Sequence, residues 1–275
     1  MLICQLTDLH VRPVGQPANR VVETNMFTER AFRAVARLSP RPDVVLITGD
    51  LTDSGLDAEY ANLKRLLRIL EPLPVLVIPG NHDRREKLRE SLKHFPGVAA
   101  DPRFVQYVVD EYPVRLVMLD TLVSGETHGE LGPGQLEFLG RALTAKANKP
   151  TLVAMHHPPF ACGMPHMDNI ALRDTAAFAA LIARHKQVGR IVCGHHHRPV
   201  VAQVAHAVAS IAPSVAHQVE MSLYPTDQGA FVFEPPAFQL HLWSPAGGFV
   251  SHTVYVDDYP GPYPFIADPD AAGHG

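Results

Sequence analysis

Six short runs rich in Val, Ile and Leu recur at residues 2–6, 44–48, 75–78, 114–119, 151–155 and 190–193. A strand that lacks polar alternation has no face for water, so each run must be covered on both sides. Segments with helical spacing lie between them, at 24–38, 57–70, 84–94, 133–147 and 174–185. The clearest is 57–70, where Leu63, Leu66, Leu67 and Leu70 form one stripe behind Asp57, which reads as the N-cap. Strands alternating with helices predict an α/β layered fold with a mostly parallel sheet. After about Pro199 the pattern changes to alternating or aromatic segments at 200–208, 231–233 and 238–243, which read as antiparallel strands. The chain therefore divides into a core at 1–199, strands at 200–256 that complete it and offer a cap or interface, and a Pro/Gly-rich tail at 257–275.

A chain of 275 residues with 46% hydrophobic content buries a core without disulfides. Cys4, Cys162 and Cys193 are an odd number without CxxC spacing, so they read as reduced thiols. No apolar stretch is long enough for a membrane span or has the flanks of a signal peptide, and the cytoplasm is the expected location. The net charge of -4 and scattered Lys and Arg exclude a basic stripe for duplex nucleic acid. A small anionic substrate must then be attracted locally, which bound divalent cations would do.

The 16 histidines acquire meaning from their position. Ligand-type side chains fall immediately after the runs, where an open α/β sheet presents its loops. Asp8-Leu9-His10 follows the first run, and in an extended segment its two ligands share one side. Gly49-Asp50, Gly80-Asn81-His82-Asp83, His156-His157 and Gly194-His195-His196-His197 follow later ones. Asp8, His10, Asp50, Asn81, His156, His195 and His197 are more donors than one ion takes. Two ions sharing a carboxylate fit the number, and Asp50, between the two groups in chain order, is the natural bridge. Such a pair activates a water between them and clamps phosphoryl oxygens, so no side-chain nucleophile is needed. Consistently, there is no GxSxG, P-loop or GxGxxG. His82 would hydrogen-bond the phosphate or protonate the leaving alcohol. Asp83 reads either as the carboxylate orienting it or as the cap of the next helix. His217 is a candidate for the pocket rim, with Asn19 and Thr127 nearby as further pocket positions.

These blocks, in this order across residues 8–197, resemble the calcineurin-like metallophosphoesterases. The resemblance implies a four-layer α/β/β/α sandwich with a small C-terminal β or cap extension. It implies one metal held by Asp8, His10 and His197 and a second by Asn81, His156 and His195, with Asp50 bridging and His157 behind the ligands. His82 would be the phosphate-contacting histidine, with Asn81 and His217 also meeting substrate and Asp83 assisting. The metals would be manganese, iron, zinc or cobalt. Chain length, the closing GHHH block, the His217 segment and the Tyr259-Pro-Gly-Pro tail resemble the branch acting on 3',5'-cyclic nucleotides or glycerophosphodiesters. Relatives of this kind are often homo-oligomers. His196 stands where Asn is frequent. The competing readings are a non-catalytic interaction scaffold on the same fold, or a phosphomonoesterase or nuclease of the same superfamily. A scaffold would have lost ligands, and a nuclease for single strands would need a basic or aromatic track that the chain lacks. His94, His128, His166, His185, His206, His241, His252 and His274 read as ordinary hydrogen-bonding residues.

Overall fold

The computed structural model describes residues 1–225 and 228–263. Three βα units open the chain: β1 (Leu2–Leu6), α1 (Thr24–Ala36), β2 (Val44–Thr48), α2 (Asp57–Leu67, continued by a 3-10 turn at Arg68–Leu70), β3 (Val75–Ile78) and α3 (Arg85–Ser91). Then come β4 (Tyr107–Val109), β5 (Arg115–Met118), α4 (Pro133–Ala145), β6 (Thr151–Ala154), α5 (Pro165–Asp168), α6 (Thr175–Arg184) and β7 (Val188–Cys193). The remainder is β8 (Val200–Val204), β9 (Ala207–Ile211), β10 (Gln218–Val219), β11 (Phe231–Val232), β12 (Ala237–Ser244) and β13 (Gly248–Tyr255).

The strands form two large sheets, ordered β13-β12-β1-β2-β3 and β4-β5-β6-β7-β9-β8, and a small β10-β11 ribbon. Each large sheet has a parallel centre and an antiparallel edge. Alternation along the strands explains why the runs are mostly apolar on both faces. Leu116 and Met118 of β5, and Leu152 and Ala154 of β6, join a cluster with β1–β3 between the sheets. Their neighbours Val117 and Val153 face outward onto Leu139 and Leu143 of α4 and Phe178 and Ile182 of α6. On the outside of the other sheet, Phe32 and Val35 of α1 and Tyr60, Leu63 and Leu66 of α2 pack in the same way. The result is the expected four-layer α/β/β/α sandwich, with parallel strands of both sheets ending at one rim.

Several details differ from the sequence reading, which also passed over β4, α5 and β10. Asp57 is not the N-cap of α2: Leu56 holds that position, and Glu59 reaches back to accept the N–H groups of Ser54 and Leu56. Asp57 pairs instead with Lys87. Residues 200–208 are not one strand but the β8–β9 hairpin, turning at Ala205 with φ 54°; without Gly or Asn at that turn, no sequence signal marked it. β13 went unpredicted because its edge position leaves it half-exposed along its length, blurring the alternation. Of the tail at 257–275, residues 264–275 lie outside the described residues. Asp257 and Asp258 pair with Arg30 and Arg37 of α1. Cys4, Cys162 and Cys193 are free thiols. Among the described residues no helix is long and apolar enough to cross a membrane.

Candidate metal centre

Five of the seven candidate ligands have a left-handed backbone: Asp8 (φ 54°), His10 (45°), Asp50 (47°), His195 (73°) and His197 (55°). Each such non-glycine residue costs on the order of 1 kcal/mol, and Asp and His tolerate it better than most. This corrects the expectation that Asp8 and His10 lie in an extended segment. Their side chains still converge, because the loop is laid against its neighbour by Asp8 N–H to Gly49 O (3.1 Å) and His10 N–H to Asp50 O (3.0 Å). Close approach also demands glycine here. A Cβ on Gly80 would lie 2.2 Å from Asp50 Oδ1, and one on Gly49 would lie 2.3 Å from His156 Nδ1.

The side chains of Asp8, His10, Asp50 and His197 form one buried group whose donor atoms lie within 4.8 Å of one another; His156, His157 and His195 form a second. Asp50 Oδ2 stands between the groups, 3.6 Å from His10 Nε2 and 3.4 Å from His156 Nε2. Asn81 Oδ1 is 3.2 Å from His156 Nε2, and Asp8 Oδ1 is 3.5 Å from His197 Nε2. Each imidazole has its far nitrogen engaged. His10 Nδ1 meets Asp53 (3.2 Å), His156 Nδ1 the Thr48 carbonyl (2.8 Å), His197 Nδ1 the His217 carbonyl (2.9 Å) and His195 Nε2 the Ile170 carbonyl (3.0 Å). Those acceptors require N–H there, which leaves the opposite nitrogen of each neutral ring as a lone pair. His10 Nε2 and His197 Nε2 consequently confront each other at 3.1 Å. At that distance either a second proton on one ring bridges the two nitrogens or, with both rings neutral, two lone pairs face each other and a bound cation would relieve their repulsion.

Protons meet part of that need: burial pulls His10 down, but Asp53, Asp50 and Asp8 outweigh it and raise its imidazole. Burial raises the Asp8 carboxyl to about 6, against the opposing pull of His156. Burial also opposes ionisation of Asp50, but His156, His82 and His10 hold it well below the usual carboxylate range. Burial pulls His156 down while Asp50 and Asp8 outweigh it, raising that imidazole to about 9. His197 is lowered to about 3 by burial and by His10. Two sequestered carboxylates ringed by histidines pushed in opposite directions form a pocket short of positive charge. Mixed oxygen and imidazole donors of this kind fit divalent ions.

His82 is exposed, with its backbone N–H on Asp50 Oδ1 (2.9 Å), its Nδ1 on the Asp53 carbonyl (2.7 Å) and its ring perpendicular to His10 at 4.5 Å. Asp83 does neither thing expected of it. Its oxygens accept the N–H groups of Leu51, Thr52 and Gly80 and the hydroxyls of Thr52 and Tyr60, so it binds the Asp50 loop to the Asn81 loop and does not reach His82. Nor does it cap α3, whose N-cap is Arg84 without a side-chain bond. His217 is 6% exposed and packs on His10, His197 and Phe231. Its firmest link to the centre is the carbonyl that orients His197. Burial lowers His196 to about 4, so its ring stays neutral.

Sequence reasoning missed Asp53, which orients His10 with its carboxylate and His82 with its carbonyl and is itself held by Arg12 (3.1 Å), which also bonds Glu59. The spacing Gly49-Asp50-x-x-Asp53 was a signal available in the sequence. The carbonyl of Ile170 left none. Outside the centre lies a cavity of about 650 Å³ lined by Asp53, Asn81, His82, Arg84, Glu86 and the 124–127 loop.

The family model of the calcineurin-like phosphoesterases matches residues 1–199. A protein of Arcobacter nitrofigilis named probable glycerophosphodiester phosphodiesterase GpdQ is 33% identical over 266 residues, covering 96% of this chain and 97% of that one. A probable cyclic nucleotide phosphodiesterase of Rhodopseudomonas palustris is 36% identical over 231 residues, 82% of each chain. The crystal structure of a dimetal phosphatase from Danio rerio superimposes with a TM-score of 0.63 at 15% identity, covering 94% of this chain and 99% of the other, which establishes the shared fold.

Proposed function

The chain belongs to the calcineurin-like phosphoesterase family, and from that premise we propose that it hydrolyses small phosphodiesters at the centre described above. It is a metal-dependent phosphodiesterase. The carrying observation is the pair of buried donor groups joined by Asp50, whose Oδ2 lies 3.6 Å from His10 Nε2 and 3.4 Å from His156 Nε2. Asp8, His10 and His197 are assigned to one divalent ion, Asn81, His156 and His195 to another, and Asp50 to both. When bound, the ions supply a water ionised near neutral pH and positive charge opposite the phosphoryl oxygens. Manganese, iron, zinc and cobalt all suit the donor set.

The protein's own contribution is orientation and proton handling. With Nδ1–H on the Asp53 carbonyl, His82 turns Nε2 to the cavity, where its imidazolium form donates to a phosphoryl oxygen or gives its proton to the departing alcohol. Asn81, lining the same cavity, meets the substrate from the metal side. His217 and Asp83 act by holding ligand loops. We take a glycerophosphodiester as the substrate, because similarity to the Arcobacter protein runs through nearly the whole of both chains. The higher identity to the Rhodopseudomonas protein supports 3',5'-cyclic nucleotides as the second reading. Manganese-loaded enzyme assayed on glycerophosphoethanolamine, cyclic AMP, cyclic GMP and a phosphomonoester separates them. Turnover of glycerophosphoethanolamine above the others is expected, and turnover of the monoester alone contradicts the proposal.

The free thiols suit a reducing cytoplasm. The exposed Met221, Leu223, Tyr224 and Phe233 support assembly into a homo-oligomer, which light scattering would reveal as a mass above that of one chain.

A further inference from the structure

One strand end at the catalytic rim brings no candidate ligand, yet it is bonded to both sides of the second half of the centre. After β5 the chain runs Leu119-Asp120-Thr121-Leu122, all buried. Asp120 is completely enclosed and accepts Arg85 Nε at 2.6 Å and Arg85 Nη2 at 3.0 Å, while the same Nη2 donates to the Leu122 carbonyl at 2.5 Å. Arg85 opens α3, four residues beyond Asn81, so this forked pair fixes the far end of the segment that carries Asn81 and His82. Asp120 further accepts the N–H groups of Val105 and Leu122, at 2.9 and 3.0 Å, which holds the loop itself rigid.

The next residue reaches the other way. Thr121 Oγ1 lies 2.8 Å from His157 Nδ1 and accepts the His157 backbone N–H at 3.4 Å. The fully buried His157 ring stands perpendicular to His156, with centroids 4.8 Å apart, and tilted against His195 at 4.5 Å. It has no room to move, since a Cβ on Gly129 would lie 2.3 Å from its Nδ1. His157 is thus a spacer between two assigned ligands, and Thr121, with the backbone of Thr127 and the close packing of Gly129, fixes its rotation.

We propose that Asp120 and Thr121 are positioning residues for the half of the centre made by Asn81, His156 and His195, setting its donor geometry from a loop that touches neither ion nor substrate. The proposal rests on the assignment of two ions made above. The Asp8, His10 and His197 half has no bond to this loop and takes its support from Asp53 and the His217 carbonyl.

The test is manganese titrated calorimetrically into metal-free wild-type, Thr121→Val, Thr121→Ser and Asp120→Asn proteins, with apoprotein melting measured alongside. Thr121→Val and Asp120→Asn are expected to weaken one of the two ions about ten- to a hundredfold, the range for a residue that orients a ligand, and to leave the other at its wild-type Kd. Thr121→Ser, which keeps the hydroxyl, should bind both ions as the wild type does. An anomalous difference map of manganese-soaked Asp120→Asn crystals should lose occupancy beside Asn81 and His156 alone. If Thr121→Val does not fold, Asp120→Asn decides the matter by itself. Variants that melt lower but bind both ions normally would show mere structural glue and overturn the proposal, as would equal weakening of both ions. A wild-type protein that binds fewer than two ions would instead remove the assignment beneath it.

Discussion

On the Asp8 side of the centre, the assigned ligands include a carboxylate of their own, and a second carboxylate, Asp53, stands behind His10 with Arg12 and Glu59 locking it in place. On the Asn81 side, the assigned ligands are a neutral amide and two imidazoles held by the carbonyls of Thr48 and Ile170, and the carboxylates facing them are the shared Asp50, 3.4 Å from His156 Nε2, and Asp8 at 4.0 Å. Coulomb attraction in a buried site grows with each uncompensated carboxylate. The Asp8 side is therefore expected to keep its ion more tightly, and the Asn81 side to exchange it. An exchangeable ion beside the open cavity is well placed to take part in substrate binding, while the tightly held one keeps the site assembled.

Asp50→Ala removes the one element common to both sides and should have the largest effect, abolishing turnover and both bound ions; elemental analysis after gel filtration measures it, and full retention of two ions would erase the distinction between shared and private ligands. Asn81→Ala should next reduce metal content from two ions toward one with a severe loss of activity. His197→Ala should be worse for stoichiometry, since losing the tight ion leaves no anchor for the weak one. Equal residual content in these two variants would break the asymmetry. A smaller effect is expected for Asp53→Asn, which keeps the shape but loses the charge behind His10: roughly ten- to a hundredfold weaker binding of the tight ion, read by competition with a chelator.

The loops that carry the candidate donors were legible because chemistry and position coincided: Asp50 and His156 lie within two residues of the end of an apolar run, so a motif could be anchored to a strand end. The core strands were legible for the related reason that two-sided burial leaves no charged residue in 44–48 or 75–78. What lay beyond reach depends on contacts between distant parts of the chain. Ile170 contributes only a carbonyl, which any residue possesses, and Asp83 lies beside His82 in sequence while its bonds run to Leu51, Thr52 and Tyr60. The left-handed backbone at Asp8 and His10 similarly arises from the sheet neighbour and not from local preference. The β8–β9 turn at Ala205 and the edge strand β13 were lost because neither needs a distinctive residue.

The smallest effect should come from a group remote from both sides. His241 is buried between Gln5 and Ser251 and is lowered to about 3 by burial and by Arg190. A histidine depressed in the folded state favours folding above its unfolded value near 6.5, and its contribution is lost as pH falls from there toward 3. The slope approaches about 1.4 kcal/mol per pH unit in that window. Urea unfolding of metal-free His241→Gln should show a shallower acid decline than the wild type between pH 6 and 4. An unchanged slope would assign acid lability to the centre's histidines alone.

The most direct measurement is an anomalous difference map from crystals grown with excess manganese. Two peaks about 3.5–4 Å apart, with Asp50 touching both, are predicted, the stronger on the side of Asp8, His10 and His197. A single peak away from Asp50, or none, would contradict a paired-ion centre.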